Sequence, residues 1–233
     1  MNTLMLFDID GTLSATTLSD GRCFATSFEH VFGFPCPTTD WHAYQHVTDS
    51  GIVHELLEGR QGRRATASEW DAFVSAYMEI LANDHAVHPH EYGEIPGAAS
   101  LIRELVSPPN AQPVALATGC MKRSAMFKLS KAGIDGSTLA GGFADDAISR
   151  VGIARCAIAR AGGTPSDIVY IGDGIWDVLT SAQLGMRFVG IAHQSDEQRL
   201  RDHGATSVIA DLNDRDTFFR AVDEATVPRW MCK

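Results

Sequence analysis

Thr3-Leu4-Met5-Leu6-Phe7 is a short apolar run that stops abruptly at Asp8-Ile9-Asp10-Gly11-Thr12-Leu13. A run of this length without polar alternation predicts a strand buried on both faces, as at the centre of a parallel sheet. Two more strong runs follow, Pro113-Val114-Ala115-Leu116-Ala117 and Ile168-Val169-Tyr170-Ile171. Weaker ones lie at Leu139 to Phe143, Phe188 to Ile191 and Ser207 to Ala210. Helical spacing fills the intervals: Ala98 to Val106, Lys122 to Lys131, Arg150 to Ala161, Trp176 to Leu184, Asp196 to His203 and Thr217 to Glu224. Several of these end at glycine, at Gly133, Gly162-Gly163 and Gly185, as helices commonly do. Strands alternating with helices of about ten residues predict an α/β fold with a doubly wound parallel sheet.

One segment breaks the alternation. From Ser14 to Tyr92 the apolar residues recur only at spacings of three and four: Phe24, Phe28, Val31 and Phe32 before Gly33, then Trp70, Phe73, Val74, Tyr77, Ile80 and Leu81. Phe34-Pro35-Cys36-Pro37 breaks the first helix, Trp41 to Val47 is short, and a further helix runs from Gly51 or Ile52 to Leu57, closed at Gly59-Arg60-Gln61-Gly62. Ser68 stands as the N-cap of the last helix, with Glu69 in its first turn. The pattern predicts a helical domain, residues 14–92, inserted into a core made of residues 1–13 and 93–233.

Composition narrows the setting. A chain of 233 residues, 45% hydrophobic and 21% charged, can bury a sizeable core. Its formal net charge of -10 opposes nonspecific attachment to nucleic acid or anionic lipid. Cys23, Cys36, Cys120, Cys156 and Cys232 are odd in number and form no CxxC pair, which fits reduced thiols in the cytoplasm. No signal peptide or transmembrane helix is expected, and no membrane partner.

Chemistry gathers at the strand ends. Asp8 and Asp10 close the first strand, Thr118 and Gly119 the second, and Asp173 and Asp177 follow the third. In open α/β sheets ligands bind beyond the carboxyl ends of the strands, so these residues would converge. Two carboxylates 4 Å apart repel by about 4 kcal/mol at an effective dielectric near 20, which calls for a cation or a shared proton. An all-oxygen ligand set favours Mg²⁺ over zinc.

The chain resembles the haloacid dehalogenase-like hydrolase superfamily, in its phosphoglycolate-phosphatase-like branch with a helical cap. Asp8-Ile9-Asp10-Gly11-Thr12-Leu13 matches the DxDGT signature, Thr118-Gly119 the second motif, and Gly172-Asp173-Gly174-Ile175-Trp176-Asp177 the GDxxxD motif. The resemblance implies a Rossmann-like core and a Mg²⁺-dependent phosphatase of a small phosphate ester. In it Asp8 is the nucleophile, Asp10 the general acid/base, and Asp8, Asp173 and the Asp10 carbonyl hold the metal. Asp177 orients metal waters or the basic residue, and Thr118 and Gly119 receive phosphate oxygens. The basic third motif is usually Lys-Pro; here it is Arg150 in Ser149-Arg150-Val151, a residue whose fork can hold both phosphate and carboxylate. Lys122, Lys128 and Lys131 read as the solvated face of a helix.

The insert excludes some relatives. It carries no lysine, since none precedes Lys122, and so lacks the Schiff-base lysine of the phosphonatase branch. Asp10 and Asp173 also disfavour dehalogenation, whose enzymes lack the second acid. Arg22, Arg60, Arg63 and Arg64 would select an acidic substrate if one pointed into the cleft, and Thr48-Asp49 sits where related caps place a substrate loop. His85, His88 and His90 read as loop residues rather than metal ligands, and the aromatic stripes as the insert's own core. A phosphosugar mutase and a noncatalytic binding module remain the alternative readings. Oligomeric state is left open.

Overall fold

The structure of the protein, a computed structural model, describes residues 3–109, 111–162, 167–193 and 195–229. Gly163 and Cys232, assigned above to a helix stop and the free thiols, lie outside them. The strands are β1 (Thr3–Phe7), β2 (Val114–Ala117), β3 (Ala140–Gly142), β4 (Asp167–Gly172), β5 (Arg187–Ile191) and β6 (Ser207–Ile209). Among the described residues they form one sheet in the order β3-β2-β1-β4-β5-β6, every pairing parallel. The chain winds outward from β1 in both directions, which opens a crevice at the carboxyl ends of β1 and β4. Phe7 pairs with Leu116 on one side and Ile171 on the other, so Asp8, Thr118 and Asp173 leave the sheet side by side.

Both faces of β1 are covered, which is why its sequence shows no polar alternation. Met5 and Phe7 pack with α4 (Ala98–Val106), α5 (Lys122–Lys131) and α9 (Arg215–Glu224) through Leu101, Leu105, Leu129 and Phe218. Leu4 and Leu6 pack with α6 (Arg150–Ala161), α7 (Ile175–Leu184) and α8 (Ser195–Asp202) through Ile153, Val178 and Leu200. Each such side chain contributes about 1.5–3 kcal/mol by leaving water.

The helical segment between β1 and α4 has a third core of its own. Its helices are α1 (Thr17–Phe32), α2 (Asp49–Gln61) and α3 (Ala67–Val87), closing on Phe24, Phe28, Leu57, Phe73, Tyr77 and Leu81. Phe24 meets Phe73 edge to face with centroids 5.3 Å apart, so the aromatic stripes are packing. The cap of α3 differs from the expected Ser68: Thr66 accepts the Glu69 N–H while Glu69 reaches back to the Thr66 N–H, a reciprocal box that outcompetes the later serine. No helix among the described residues is long and apolar enough to cross a membrane.

Candidate active site

The turn after β1 is shaped by its neighbour. Gly11 has φ +76°, and a Cβ there would overlap the Asp173 carboxylate, so the turn presses directly against the end of β4. Thr12 Oγ1 donates to Asp173 Oδ1 at 3.4 Å. Carboxylate oxygens of Asp8, Asp173 and Asp177 lie within 4.8 Å of one another, two of the three being buried. Burial, then the charges of Asp8 and Asp10, push the Asp173 carboxyl up to about 8. Burial and Asp8 also raise Asp177, which holds its place by accepting the Gly174 N–H at 3.1 Å.

A single guanidinium answers these acids. Arg150 opens α6, whose N-cap Ser149 accepts the Gly152 N–H, and its Nη1 lies 3.2 Å from Asp8 Oδ2 and 3.5 Å from Asp177 Oδ1. Three crowded carboxyls against one cation leave charge uncompensated, and the donors are all oxygen. The set therefore fits a hard divalent cation. Among the described residues, neither group of metal-competent side chains contains a histidine, and His85, expected in a loop, lies instead in α3, its ring edge-on to Tyr92 and Phe127.

Asp10 turns the other way. Thr16 Oγ1 donates to its Oδ1 at 2.5 Å, the Cys120 thiol to its Oδ2 at 2.8 Å, and Lys128 Nζ lies 2.8 Å from Oδ1. Lys128 also pairs with Asp20, which takes a short hydrogen bond from the Tyr77 hydroxyl. The expectation that Lys128 faces solvent is overturned: it is fully buried. Burial alone would lower its pKa, but Asp10 and Asp20 raise it well above the usual range, so it stays an ammonium. Burial works against Asp10 too, yet Lys128 draws its carboxyl below the ordinary value, while burial and the Asp10 charge lift Asp20.

The helical segment is fastened over this edge. Thr48 Oγ1 donates to the Ile148 carbonyl at 2.7 Å, the Asp49 N–H to the Gly119 carbonyl at 2.8 Å, and the Met121 N–H to Asp49 Oδ2 at 2.8 Å. Arg150 Nε donates to the Val47 carbonyl at 2.7 Å. A Cβ on Gly119 would sit 2.5 Å from that carbonyl and 2.8 Å from Arg150 Nη2, so only glycine lets them meet. What remains is a small cavity, about 50 Å³ of space open to water, room for a few molecules.

Asp8, Asp10, Gly119, Arg150 and Asp173 line this cavity. Asp177 stands behind Arg150, and Thr118, buried, turns its hydroxyl to the Cys120 N–H at 3.3 Å. Lys128, Asp20 and Asp49 join the site without having been assigned a role from the sequence, apart from the loop reading of Thr48-Asp49. The signal for Lys128 is its phase: Ala125, Lys128 and Leu129 share the buried stripe of α5, and a lysine in an apolar stripe asks for a buried acid.

Comparison with known proteins bears on the family and the fold. The model of the haloacid dehalogenase-like hydrolase family matches residues 3–185. No curated protein matches the chain significantly. Among solved structures, a hydrolase from Pseudomonas syringae superposes with TM-score 0.71 at 20% identity, covering 95% of this chain and 98% of that one. A β-phosphoglucomutase from Clostridium difficile gives 0.68 at 15% identity, over 96% and 98%. A phosphonoacetaldehyde hydrolase-like protein from Oleispira antarctica gives 0.64 at 17% identity, over 96% and 95%. At these identities the likeness to the three structures is one of fold.

Proposed function

The chain belongs to the haloacid dehalogenase-like hydrolase family, and from that premise we propose that it is a Mg²⁺-dependent phosphatase of a small phosphorylated metabolite, working through a phospho-Asp8 intermediate beneath a cap formed by residues 14–92. The observation that supports this most is the division of labour at β1: Asp8 shares its oxygens with Arg150 in a group that fits a dication, whereas Asp10 sits among proton donors.

An Asp8 carboxylate oxygen attacks phosphorus and the ester P–O bond breaks, leaving an acyl phosphate on Asp8. Arg150 holds phosphoryl oxygens with its forked N–H groups, joined by the Gly119 backbone N–H. The leaving oxygen draws its proton through Asp10 from the set around Lys128. Water then attacks phosphorus, its proton returns to that set, and inorganic phosphate leaves with Asp8 restored. Asp8 and Asp173, with the Asp10 carbonyl, would hold Mg²⁺, which when bound would supply positive charge against the phosphoryl oxygens. Lys128 does not suit an amine-nucleophile role, since an ammonium paired with two acids has no free lone pair.

Phosphate release with Mg²⁺ across phosphorylated sugars, short acids and nucleotides tests the reading. At least one class should turn over, and Asp8→Asn should lower its rate by about 10⁴-fold or more while the protein stays folded. Appreciable release by that variant would sink the mechanism. Isomer exchange with little net phosphate would point to a mutase, and folded protein inert to every ester to a noncatalytic module.

A further inference from the structure

The turn that follows β2 is crowded with backbone donors. Four of the five N–H groups of residues 118–122 are taken: Thr118 donates to the Gly142 carbonyl at 3.2 Å, Cys120 to Thr118 Oγ1 at 3.3 Å, Met121 to Asp49 Oδ2 at 2.8 Å and Lys122 to Asp145 Oδ2 at 2.6 Å. The fifth, on Gly119, has no acceptor among the described residues, and Gly119 is a buried residue that lines the cavity. A buried N–H without a partner asks for an acceptor from outside the fold, and a phosphoryl oxygen is one.

Holding that N–H in place is a problem for the chain. Residue 119 has to be glycine, because a Cβ there would meet the Val47 carbonyl at 2.5 Å, and glycine leaves the backbone around it loose. The helix behind, α5, gives little help, since its N-cap residue Met121 makes no side-chain cap hydrogen bond. One residue of the insert answers both needs. The Asp49 N–H donates to the Gly119 carbonyl at 2.8 Å while the Asp49 carboxyl takes the Met121 N–H, so the two peptide groups after Gly119 are fixed from a single point. Asp49 is itself held firmly. It is 5% exposed at the start of α2, whose N-cap Thr48 accepts the Gly51 N–H at 3.0 Å and donates to the Ile148 carbonyl, and Ser50 Oγ donates to the Ala144 carbonyl at 2.9 Å.

We infer that Asp49 is a positioning residue for phosphoryl binding: from the insert it fixes the 119–121 turn so that the Gly119 N–H meets a phosphoryl oxygen, and it acts through that turn without touching the alcohol half of the ester. This rests on the phosphatase reading above and adds to that site a residue from outside the core. The role needs a hydrogen-bond acceptor of the right length and no charge. In keeping with this, burial and the Asp20 charge push the Asp49 carboxyl up to about 8, so near neutral pH it adds little repulsion against an incoming phosphate. The phosphoryl site is then complete only with the insert docked on the core.

The test compares the unaltered protein with Asp49→Ala and Asp49→Asn, all with Mg²⁺, by kcat/KM for p-nitrophenyl and hydroxyethyl phosphate, by calorimetric binding of inorganic phosphate, and by Tm. Asp49→Ala should lose about 10–100-fold in kcat/KM, by the same factor for both esters, and bind phosphate about tenfold more weakly, because the fault lies at the phosphoryl group that all three ligands share. Asp49→Asn, whose amide oxygen can accept the Met121 N–H, should recover most of both losses. A lowered Tm with phosphate binding and kcat/KM unchanged makes the contact one of stability and overturns the inference, while release by the unaltered protein leaves the phosphatase reading standing. A loss confined to one ester overturns it too, since that places Asp49 on the alcohol half, and so does Asp49→Asn as impaired as Asp49→Ala, since charge is then what counts. If Asp49→Ala does not fold, Asp49→Ser, whose hydroxyl is too short to reach the Met121 N–H, is read in the same way; failure of both to fold beside a folded, active Asp49→Asn again assigns stability. No release from either ester by the unaltered protein overturns the phosphatase reading and this inference with it.

Discussion

Two carboxylate clusters meet at the end of β1, and they differ in who neutralises them. In the first, one guanidinium, Arg150, pairs with Asp8 and Asp177, and Asp173 beside them is left with a carboxyl raised to about 8. In the second, Asp10 and Asp20 close around Lys128, an internal cation with Thr16, Cys120 and Tyr77 donating hydrogen bonds. Both groups have ligand atoms close enough to hold a metal. Only the first has charge to spare for one, because Lys128 already occupies the second. Acids two residues apart are thus drawn to different partners by residues far away in sequence, Arg150 and Lys128, and on the proposed reading Asp8 falls on the metal and phosphoryl side and Asp10 on the proton side.

The comparison can be broken from either side. Lys128→Met should cost about 3–5 kcal/mol, read as a lowered denaturation midpoint, because it leaves Asp10 and Asp20 buried without a cation; added Mg²⁺ should not recover it if the second cluster is no metal site. Arg150→Met should act chiefly on rate, with kcat/KM lowered by about 10²–10³-fold in a phosphate-release assay and a smaller loss of stability, since the dication shares its task. If the two variants behave alike, the clusters are not distinct.

A smaller effect sharpens the metal side. The Asp173 carboxyl keeps its proton to about 8 in the fold, against 3.8 for an ordinary aspartate. Between those values the metal-free fold binds more protons than the unfolded chain, so this group's contribution to stability falls as pH rises through the window. Mg²⁺ bound at Asp173 would take the place of that proton. Its stabilisation, measured as a rise in Tm, should therefore be larger at about pH 8.5 than at about pH 6.5, by roughly 1–2 kcal/mol.

The layered fold was legible because burial on both sheet faces leaves continuous apolar runs, and Lys122–Lys131 and Arg150–Ala161 match the expected helices at both ends. The convergence of Asp8, Asp173 and Asp177 was legible because strand, turn and acid occur together within a few positions. Lys128 was not, because its partners Asp10 and Asp20 are more than a hundred residues away and only the packing of α1 against α5's neighbours brings them together. Its helical phase held the clue, but a lysine beside Lys122 and Lys131 looks like one more surface charge. The arginines of the helical segment could be misread in the opposite direction: the acids that hold Arg22, Asp84 and Glu91, are more than sixty residues away in sequence, and none of the four arginines lines the cavity.

On this reading the cation belongs to Asp8 and Asp173 and not to Asp10 and Asp20. Calorimetric titration of Mg²⁺ into the unaltered protein, Asp173→Asn and Asp20→Asn tests it directly. The account predicts one site per chain, weakened by about 10–100-fold in Asp173→Asn and unchanged in Asp20→Asn. Two sites, or a site lost with Asp20 and kept without Asp173, would contradict it.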